Sequence, residues 1–370
     1  MDIIRPRLTD YHGIHKNQAD LDFAIQFFDE DIPLYVDPFL LWKSPSQQDN
    51  ALYTTITNSF NHLNYLIKKK QEDEALSILI DISECHEVGL GVSKTRKGTK
   101  ISEKQAQDIL SLFKDIPEYS QFGFTHFEII QLYISGISKD RISDITCNYL
   151  KSFLIDYTIE QCEINKIPTE GVILDSIYNY KTNKLDTNQK VYLPVNPLTK
   201  EPLIFTPKRW LRFNTWINYE DYFQKYCPRD EIFNPDEPEE RVKVLNFNRE
   251  NYGTIEGYIE YKTKASENCK NDPLFSQIPI LSAKRKLSQI LKLNTGKEHG
   301  ADMQYEELSA SLLASLFYPH LDFAQTQSRT ESGRHIRDLI FYNNRDIDFL
   351  DEIFTEYNNR QLVIEMKNVK

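Results

Sequence analysis

The sequence predicts an α+β protein, in which a mostly helical, mixed N-terminal region precedes a small α/β core at the C-terminal end. Three observations predict this class. Apolar residues recur every three or four positions over residues 49–70 and 138–164, which is typical of amphipathic helices. After residue 168 the chain changes to short β-prone stretches broken by Pro and Asn. In residues 320–370, two strand-like stretches flank one short helical stretch.

The remaining elements of the N-terminal region follow from local signals. Two prolines divide residues 21–43 into short elements around a turn. Residues 89–102 form a basic loop punctuated by Gly, and Ser102 is a predicted N-cap with a helix behind it. The stretches VYLPV and PLIFT, within residues 191–206, predict a β-hairpin with NPLTKE as its turn.

Composition and charge exclude several classes of protein. A length of 370 residues predicts two or three domains of about 150 residues each. Forty-four Lys and Arg against 55 Asp and Glu give a net charge of −11, so any contact with DNA requires a local basic patch. Five Cys without a CxxC pair argue against a disulfide framework or a structural zinc site. Without a signal peptide or long apolar run, we expect a cytoplasmic protein with no membrane partner.

The chemically informative residues lie in two predicted strands near the C-terminus. Asp338 lies near the start of the strand at 336–342, and Glu365 and Lys367 lie on one face of the strand at 361–367. If these strands pair, Asp338 lies beside Glu365, and two adjacent carboxylates bind a hard divalent cation such as Mg²⁺. A lysine within reach of a metal-bound water would orient or deprotonate it. The pattern therefore predicts metal-assisted hydrolysis of a phosphodiester.

This arrangement resembles the PD-(D/E)XK, or restriction-endonuclease-like, nuclease superfamily. The motif is carried by Asp338, Glu365 and Lys367, with an apolar strand leading into Glu-x-Lys. Glu331, on the segment before Asp338, matches a further Glu of many members, and the Leu- and Ala-rich helix at 305–317 matches the first core helix of the family. The resemblance implies catalytic roles for these four side chains, Mg²⁺ or Mn²⁺ bound by Asp338 and Glu365, and DNA as the substrate.

Two features depart from the family pattern. Arg337 stands where the family name places Pro, a common variation. The family fold continues beyond the Glu-x-Lys strand with a helix and at least one more strand, whereas this chain ends three residues after Lys367. The resemblance therefore predicts a restriction-endonuclease-like domain that is incomplete at its C-terminus, either truncated or completed from elsewhere.

Basic residues in two places are candidates for binding nucleic acid. The Gly-punctuated loop at 89–102 carries four of them, and the segment just before Asp338 carries three. Flexible basic loops hold phosphate backbones, although ordinary solvated surface charge is the alternative at both places. The candidates are Lys94, Arg96, Lys97 and Lys100 in the loop, and Arg334, His335 and Arg337 beside the predicted site.

The domain prediction has three parts. Residues 1–228 form an N-terminal sensing or recognition region, and residues 281–370 form the nuclease-like domain. Between them, residues 229–280 begin with an acidic, Pro-rich stretch and form a linker or excursion. The stretches at 31–42 and 136–146 resemble the N-terminal regions of uncharacterised bacterial nucleases associated with phage defence. That resemblance implies a sensing module attached to a DNA-cleaving effector of bacterial anti-phage defence.

Alternatives remain open. The chain is also compatible with a non-catalytic binding or scaffold subunit of a defence complex, whose nuclease fold is incomplete, or with an RNA-cleaving toxin. At the residue level, Glu365 and Lys367 are also explained as solvated charges that protect an edge strand from aggregation. Because the net charge is negative, a protein partner or a homo-oligomer would help to concentrate the basic loops on DNA.

Overall fold

The computed structural model describes most of the chain, and its described residues divide into two compact units, Gln26–Lys270 and a second one made of Met1–Ile25 with Asn271–Lys370. The described residues are 7–16, 18, 20–28, 31–91, 93, 96, 98–234, 240–271, 280–317, 320–329, 336–345 and 347–369. Side chains are described for these residues except 10, 280–282, 285, 315, 322–329 and 336.

The helices are, in chain order, α1 (Leu8–His12), α2 (Pro38–Trp42), α3 (Gln47–Lys68), α4 (Glu72–Asp81), α5 (Glu103–Asp115), α6 (Pro117–Phe122), α7 (Lys139–Tyr149), α8 (Lys151–Asn165), α9 (Tyr219–Lys225), α10 (Arg229–Ile232), α11 (Arg241–Glu250), α12 (Tyr252–Lys264), α13 (Ile280–Ile290), α14 (Ala301–Phe317) and α15 (Asp348–Tyr357). The strands are β1 (Tyr35–Val36), β2 (Glu170–Leu174), β3 (Ile177–Asn179), β4 (Lys184–Asp186), β5 (Gln189–Leu193), β6 (Leu211–Arg212), β7 (Leu321–Arg329), β8 (Ile336–Asn343) and β9 (Gln361–Ile364). Helices combined with small antiparallel sheets are compatible with the predicted α+β class.

Helices α3 and α5 of the larger unit form where the sequence predicts them. Ser46 caps α3 by accepting a hydrogen bond from the backbone of Asp49, and the middle of its apolar stripe, Ile56, Phe60 and Leu63, is buried. Ser102 caps α5 as predicted, and the side chain of Gln105 completes a capping box by accepting from the Ser102 backbone. Local capping and amphipathic spacing therefore account for both helices.

The single helix predicted over residues 138–164 is wrong, because the structure divides it into α7 and α8. Leu150 lies between them with φ −95° and ψ 5°, so the backbone leaves the helical region there. Tyr149 and Leu150 are both buried, so the break between α7 and α8 lies inside the core of the larger unit. Hydrophobic spacing alone does not reveal such a break, since both helices carry the same period.

The hairpin predicted within residues 191–206 forms only in part. The turn is present, because the backbone of Asn196 donates to Glu201 O and that of Leu203 donates to Pro194 O, each at 2.8 Å. Strand β5 pairs instead with β2, antiparallel. The segment after the turn donates elsewhere, from Ile204 N to Glu87 O at 2.9 Å. Pro202 lacks the N–H that a continuous ladder requires at its position.

Residues 229–234 and 240–270, within the predicted linker or excursion, are mainly helical and belong to the larger unit, and residues 235–239 lie outside the described residues. Helices α11 and α12 bury Val244, Leu245, Ile255 and Tyr258, so this segment has a core-facing side. The apolar spacing that follows the acidic, Pro-rich stretch is that of packed helices. The remainder of the predicted linker, residues 272–279, lies outside the described residues.

The smaller unit is built on a three-stranded antiparallel sheet with the order β7–β8–β9. Helix α14 precedes the sheet, and α15 connects β8 to β9. The N-terminal segment joins this unit through Arg7, whose guanidinium donates to Asn344 Oδ1 at 2.8 Å and lies 4.2 Å from the centre of the Tyr342 ring. In the described part of both units, no helix has the length and apolar character needed to cross a membrane.

Candidate active site on the C-terminal sheet

Strands β8 and β9 pair antiparallel, which meets the condition under which the sequence placed Asp338 beside Glu365. Their register places Leu339 opposite Ile364 and Ile340 opposite Val363. One step further along the same register, Asp338 and Glu365 are opposite each other, just beyond the last paired position of β9. The backbone N–H of Met366 donates to Asp338 Oδ2 at 2.5 Å, so the chain after β9 stays against β8 at this point.

The segment after β9 is also held at its far end. The side-chain amide of Asn368 donates to Asn294 O at 2.9 Å and to Gly296 O at 3.1 Å, and the backbone of Gly296 donates to Asn368 O at 2.9 Å. Met366 is buried on the side away from solvent. These anchors fix the backbone from which Glu365 and Lys367 project, and a fixed backbone is what a preorganised site requires.

Lys367 joins the two carboxylates. Its Nζ lies 3.6 Å from Asp338 Oδ2 and 3.4 Å from Glu365 Oε2. Asp338 is only 7% exposed, whereas the side chains of Glu365 and Lys367 are 52% and 66% exposed. The cluster therefore has one buried and one accessible carboxylate, with an accessible ammonium group beside both.

The charges of the cluster set the protonation of the lysine. The hydrogen bond to Glu365 and the nearby charge of Asp338 raise the pKa of Lys367 above its ordinary value. The side chain is thus a cation and a hydrogen-bond donor in this arrangement. Of the two roles that the sequence suggested, orienting a water fits the geometry better than deprotonating one.

The donor set fits a hard divalent cation. Carboxylate oxygens on two neighbouring strands are the ligands that Mg²⁺ prefers, and it commonly binds through one or two carboxylates while keeping several waters. Within the described residues, no group of three or more His, Cys, Asp and Glu side chains is arranged to hold a metal. A cation held by Asp338 and Glu365 would keep its other positions for water and substrate.

Several predicted site residues cannot be placed. Glu331, Arg334 and His335 lie outside the described residues, as do Lys94 and Lys97. The roles assigned to them remain predictions from the sequence.

Three of the predicted basic residues are described, in different settings. Arg337 is half-buried on β8 and, by strand alternation, points to the face opposite Asp338. Lys100 is partly exposed and pairs with Asp81, with 2.5 Å between Nζ and Oδ1. Arg96 is buried, and its guanidinium donates to Phe27 O at 2.9 Å. Because that guanidinium is occupied by backbone carbonyls, Arg96 is not an exposed phosphate contact.

A second cluster, in the larger unit, was not recognised from the sequence. His126 lies in a buried contact with Tyr53 and Glu128, with its Nδ1 2.7 Å from Tyr53 Oη and 3.1 Å from Glu128 Oε1. The eight histidines of the chain show no metal-binding spacing, and the only local signal was an acid two residues after one of them. The partner from α3 lies 73 positions away.

The described residues form a protein of helices and small antiparallel sheets, with an Asp–Glu–Lys cluster on the sheet of its smaller unit. Comparison with known proteins adds a family membership. A family model described as "Domain of unknown function (DUF8370)" matches residues 13–218, more than half of the chain, so the chain belongs to this family. The matched region does not include Asp338, Glu365 or Lys367. No curated protein and no solved structure matches the chain.

Proposed function

We propose that the protein is a Mg²⁺-dependent nuclease of the PD-(D/E)XK type, which hydrolyses phosphodiester bonds of DNA as an effector of bacterial anti-phage defence. The observation that carries the proposal is the register of β8 and β9, which brings Asp338, Glu365 and Lys367 into one cluster. Helix α14 supports it, because it covers the segment at 305–317 that the resemblance matches to the first core helix of the family. The defence setting rests on the resemblance of the N-terminal stretches.

In the proposed mechanism, Asp338 and Glu365 hold Mg²⁺ or Mn²⁺ through their carboxylate oxygens. A bound divalent cation supplies charge neutralisation at the scissile phosphate and a more acidic water. Asp338 keeps a fixed orientation because the backbone of Met366 donates to its Oδ2. Lys367, protonated and exposed, donates a hydrogen bond to the attacking water or to a phosphate oxygen.

The residues before Asp338 have supporting roles in this proposal. Glu331 would assist the cation or a water, as the resemblance implies. Arg334 and His335 would contact the DNA backbone and hold the scissile strand near the cluster, and Arg337, on the opposite face of β8, would contact the backbone away from the scissile strand.

One observation favours a second candidate function. Lys367 lies within ion-pair distance of both carboxylates, and such a neutralised cluster also serves a purely structural role at the end of a strand. The second candidate is therefore a non-catalytic binding or scaffold subunit of a defence complex.

Plasmid cleavage tests the two candidates directly. The full chain is incubated with supercoiled DNA and Mg²⁺ or Mn²⁺, and with EDTA as the negative control. We expect nicking or linearisation that Asp338→Asn, Glu365→Gln and Lys367→Ala each reduce by at least about 100-fold. Glu356→Gln on α15 and Lys292→Ala remove comparable exposed charges away from the cluster and should leave cleavage unchanged.

The outcomes separate the candidates. Cleavage that survives Glu365→Gln and Lys367→Ala would show that the active site lies elsewhere. Metal-dependent DNA binding without cleavage, in a folded protein, would favour the scaffold. An RNA of the same sequence in a parallel reaction tests the RNA-cleaving alternative, which predicts faster loss of the RNA than of the DNA.

A further inference from the structure

A cleft of about 340 Å³ opens in the larger unit, within the range of small-molecule binding sites. Aromatic side chains of Trp42, Tyr119 and Tyr252 line it, together with apolar residues of α12 that include Ile255 and Ile259. His126 also lines the cleft although its side chain is almost completely buried, at 2% exposure. Because a buried polar ring needs hydrogen-bond partners, the partners of both ring nitrogens of His126 decide what the cleft can bind.

The hydrogen bonds around His126 determine which ring nitrogen carries the proton. Tyr53 Oη donates its single hydrogen to Thr125 O at 2.8 Å, because a carbonyl oxygen accepts only. Tyr53 Oη must therefore accept at its 2.7 Å contact with His126 Nδ1. Glu128 Oε1, a second acceptor, lies 3.1 Å from the same nitrogen. Nδ1 thus carries the proton, and in the neutral ring Nε2 presents a lone pair.

Nε2 is the nitrogen left for the cleft. In the described part of the chain it has no hydrogen-bond partner, since both polar contacts of the ring are made by Nδ1. An imidazole ring held by two acceptors on one nitrogen and open on the other is oriented to accept from a ligand. The wall of the cleft therefore offers one fixed acceptor.

The rim of the cleft is acidic. Glu256 and Glu260 lie there on α12, and Lys264 pairs with Glu260 at 3.1 Å, which leaves the charge of Glu256 uncompensated within this group. The acceptor at the wall and the carboxylate at the rim both favour a ligand that donates hydrogen bonds and carries positive charge. Aromatic walls add to this preference, because cations are attracted to the faces of Trp and Tyr rings.

We propose that this cleft binds a small organic cation of the amine or guanidinium class. An N–H of the ligand donates to His126 Nε2, and the positive group lies against the aromatic walls with Glu256 as its counter-charge. The alkyl part packs on Ile255 and Ile259. The proposal is independent of the nuclease activity, because its residues belong to the larger unit and its test is binding.

Titration calorimetry on the full chain, with three probes that share a butyl chain, tests separately the need for positive charge and the need for an N–H. Butylguanidinium should bind saturably, and 1-butanol, which lacks the charge, should bind at least about tenfold more weakly. N,N,N-Trimethylbutylammonium keeps the charge but has no N–H, and we expect it to bind about threefold to tenfold more weakly than butylguanidinium.

Variants then locate the site. Glu256→Gln should weaken butylguanidinium binding about threefold to tenfold, whereas Glu267→Gln, an exposed control outside the cleft, should not change it. Ile259→Trp fills the cleft from a half-buried position and should abolish binding. Three results would each overturn the proposal. They are equal affinity for butanol and butylguanidinium, failure of both cations to bind saturably, and binding of butylguanidinium that survives Ile259→Trp.

Discussion

At the scale of single residues, the larger unit contains a group of carboxylates whose protonation is set by burial and by each other. Burial, followed by the charges of Asp140 and Glu84, raises the pKa of Asp31 to about 7 against the opposing effect of Arg96. Burial also raises the pKa of Asp144 well above its ordinary value, again with help from Glu84. The folded protein therefore holds more protons on these groups than the unfolded chain at pH values between about 4 and 7.

The sign of the resulting pH dependence follows from linkage. Because the folded-state pKa of Asp31 is raised, its contribution to stability is fully present below the unfolded pKa and is lost as the pH rises through about 7. Asp31→Asn removes this loss. We expect the melting temperature of the variant to rise relative to that of the parent between pH 5 and pH 7.5. For the exposed control Asp156→Asn, the difference in melting temperature from the parent should stay constant. A difference that moves the other way would contradict the assigned shift.

A buried ion pair in the same unit gives a second prediction. Lys151 Nζ lies 2.9 Å from Glu87 Oε1, and both side chains are buried. Burial alone would raise the pKa of Glu87, but the charge and hydrogen bond of Lys151, together with His86 and a backbone hydrogen bond, lower it below its ordinary value. Lys151→Met leaves a buried carboxylate without its partner and should cost about 3–5 kcal/mol.

Chemical denaturation measures this cost. The double variant Lys151→Met, Glu87→Gln removes both charges together, so it should be more stable than Lys151→Met alone. A double variant as unstable as the single one would show that the loss comes from packing rather than from the unpaired charge.

At the scale of elements, the candidate site depends on the short segment that continues from β9. Only one backbone group, Met366 N–H, links this segment directly to the Asp338 carboxylate. The sequence placed Glu365 and Lys367 on one face because the alternation of side chains is a local rule with a period of two, and it left the pairing of the two strands as a condition. The sequence did not reveal the hydrogen bond from Met366 to Asp338. That bond depends on where β9 stops pairing with β8 and on the contact of the following segment with Gly296.

Two substitutions at Met366 test whether the site depends on this hydrogen bond. Met366→Pro removes the N–H that Asp338 accepts, and an unsatisfied buried acceptor costs about 1–3 kcal/mol. Met366→Leu keeps the N–H and nearly the same apolar volume. We expect Met366→Leu to retain the cleavage of supercoiled plasmid and Met366→Pro to lose it. Circular dichroism should show both variants folded, and equal activity in the two would contradict the role given to this bond.

At the scale of the whole molecule, the sequence predicted most where structure follows from neighbouring residues. The cap at Ser102 belongs to this kind, and so does the placement of Glu365 and Lys367 on one face of a strand. What it missed depends on residues that are distant along the chain. Tyr53 meets His126 across 73 positions. Likewise, the basic loop position Arg96 is buried because carbonyls of other segments need its guanidinium.

Because the net charge is −11, we expect the protein to bind DNA through few phosphate contacts. Arg96 is occupied within the fold and Lys100 pairs with Asp81, so the loop at 89–102 offers fewer free charges than its sequence suggests. The proposed contacts are then mainly the basic residues just before Asp338. Because each phosphate contact contributes about −0.9 to the slope of log K against log salt, we expect a shallow slope between about −2 and −4.

Fluorescence anisotropy with a short duplex in EDTA, from about 50 to about 200 mM NaCl, measures this slope without cleavage. Arg337→Ala should reduce its magnitude by about one if Arg337 contacts a phosphate, and Arg229→Ala, in the acidic segment of the larger unit, should not. A slope of about −8 would require a large basic surface, and it would contradict the view that this acidic protein holds DNA through few contacts beside its candidate site.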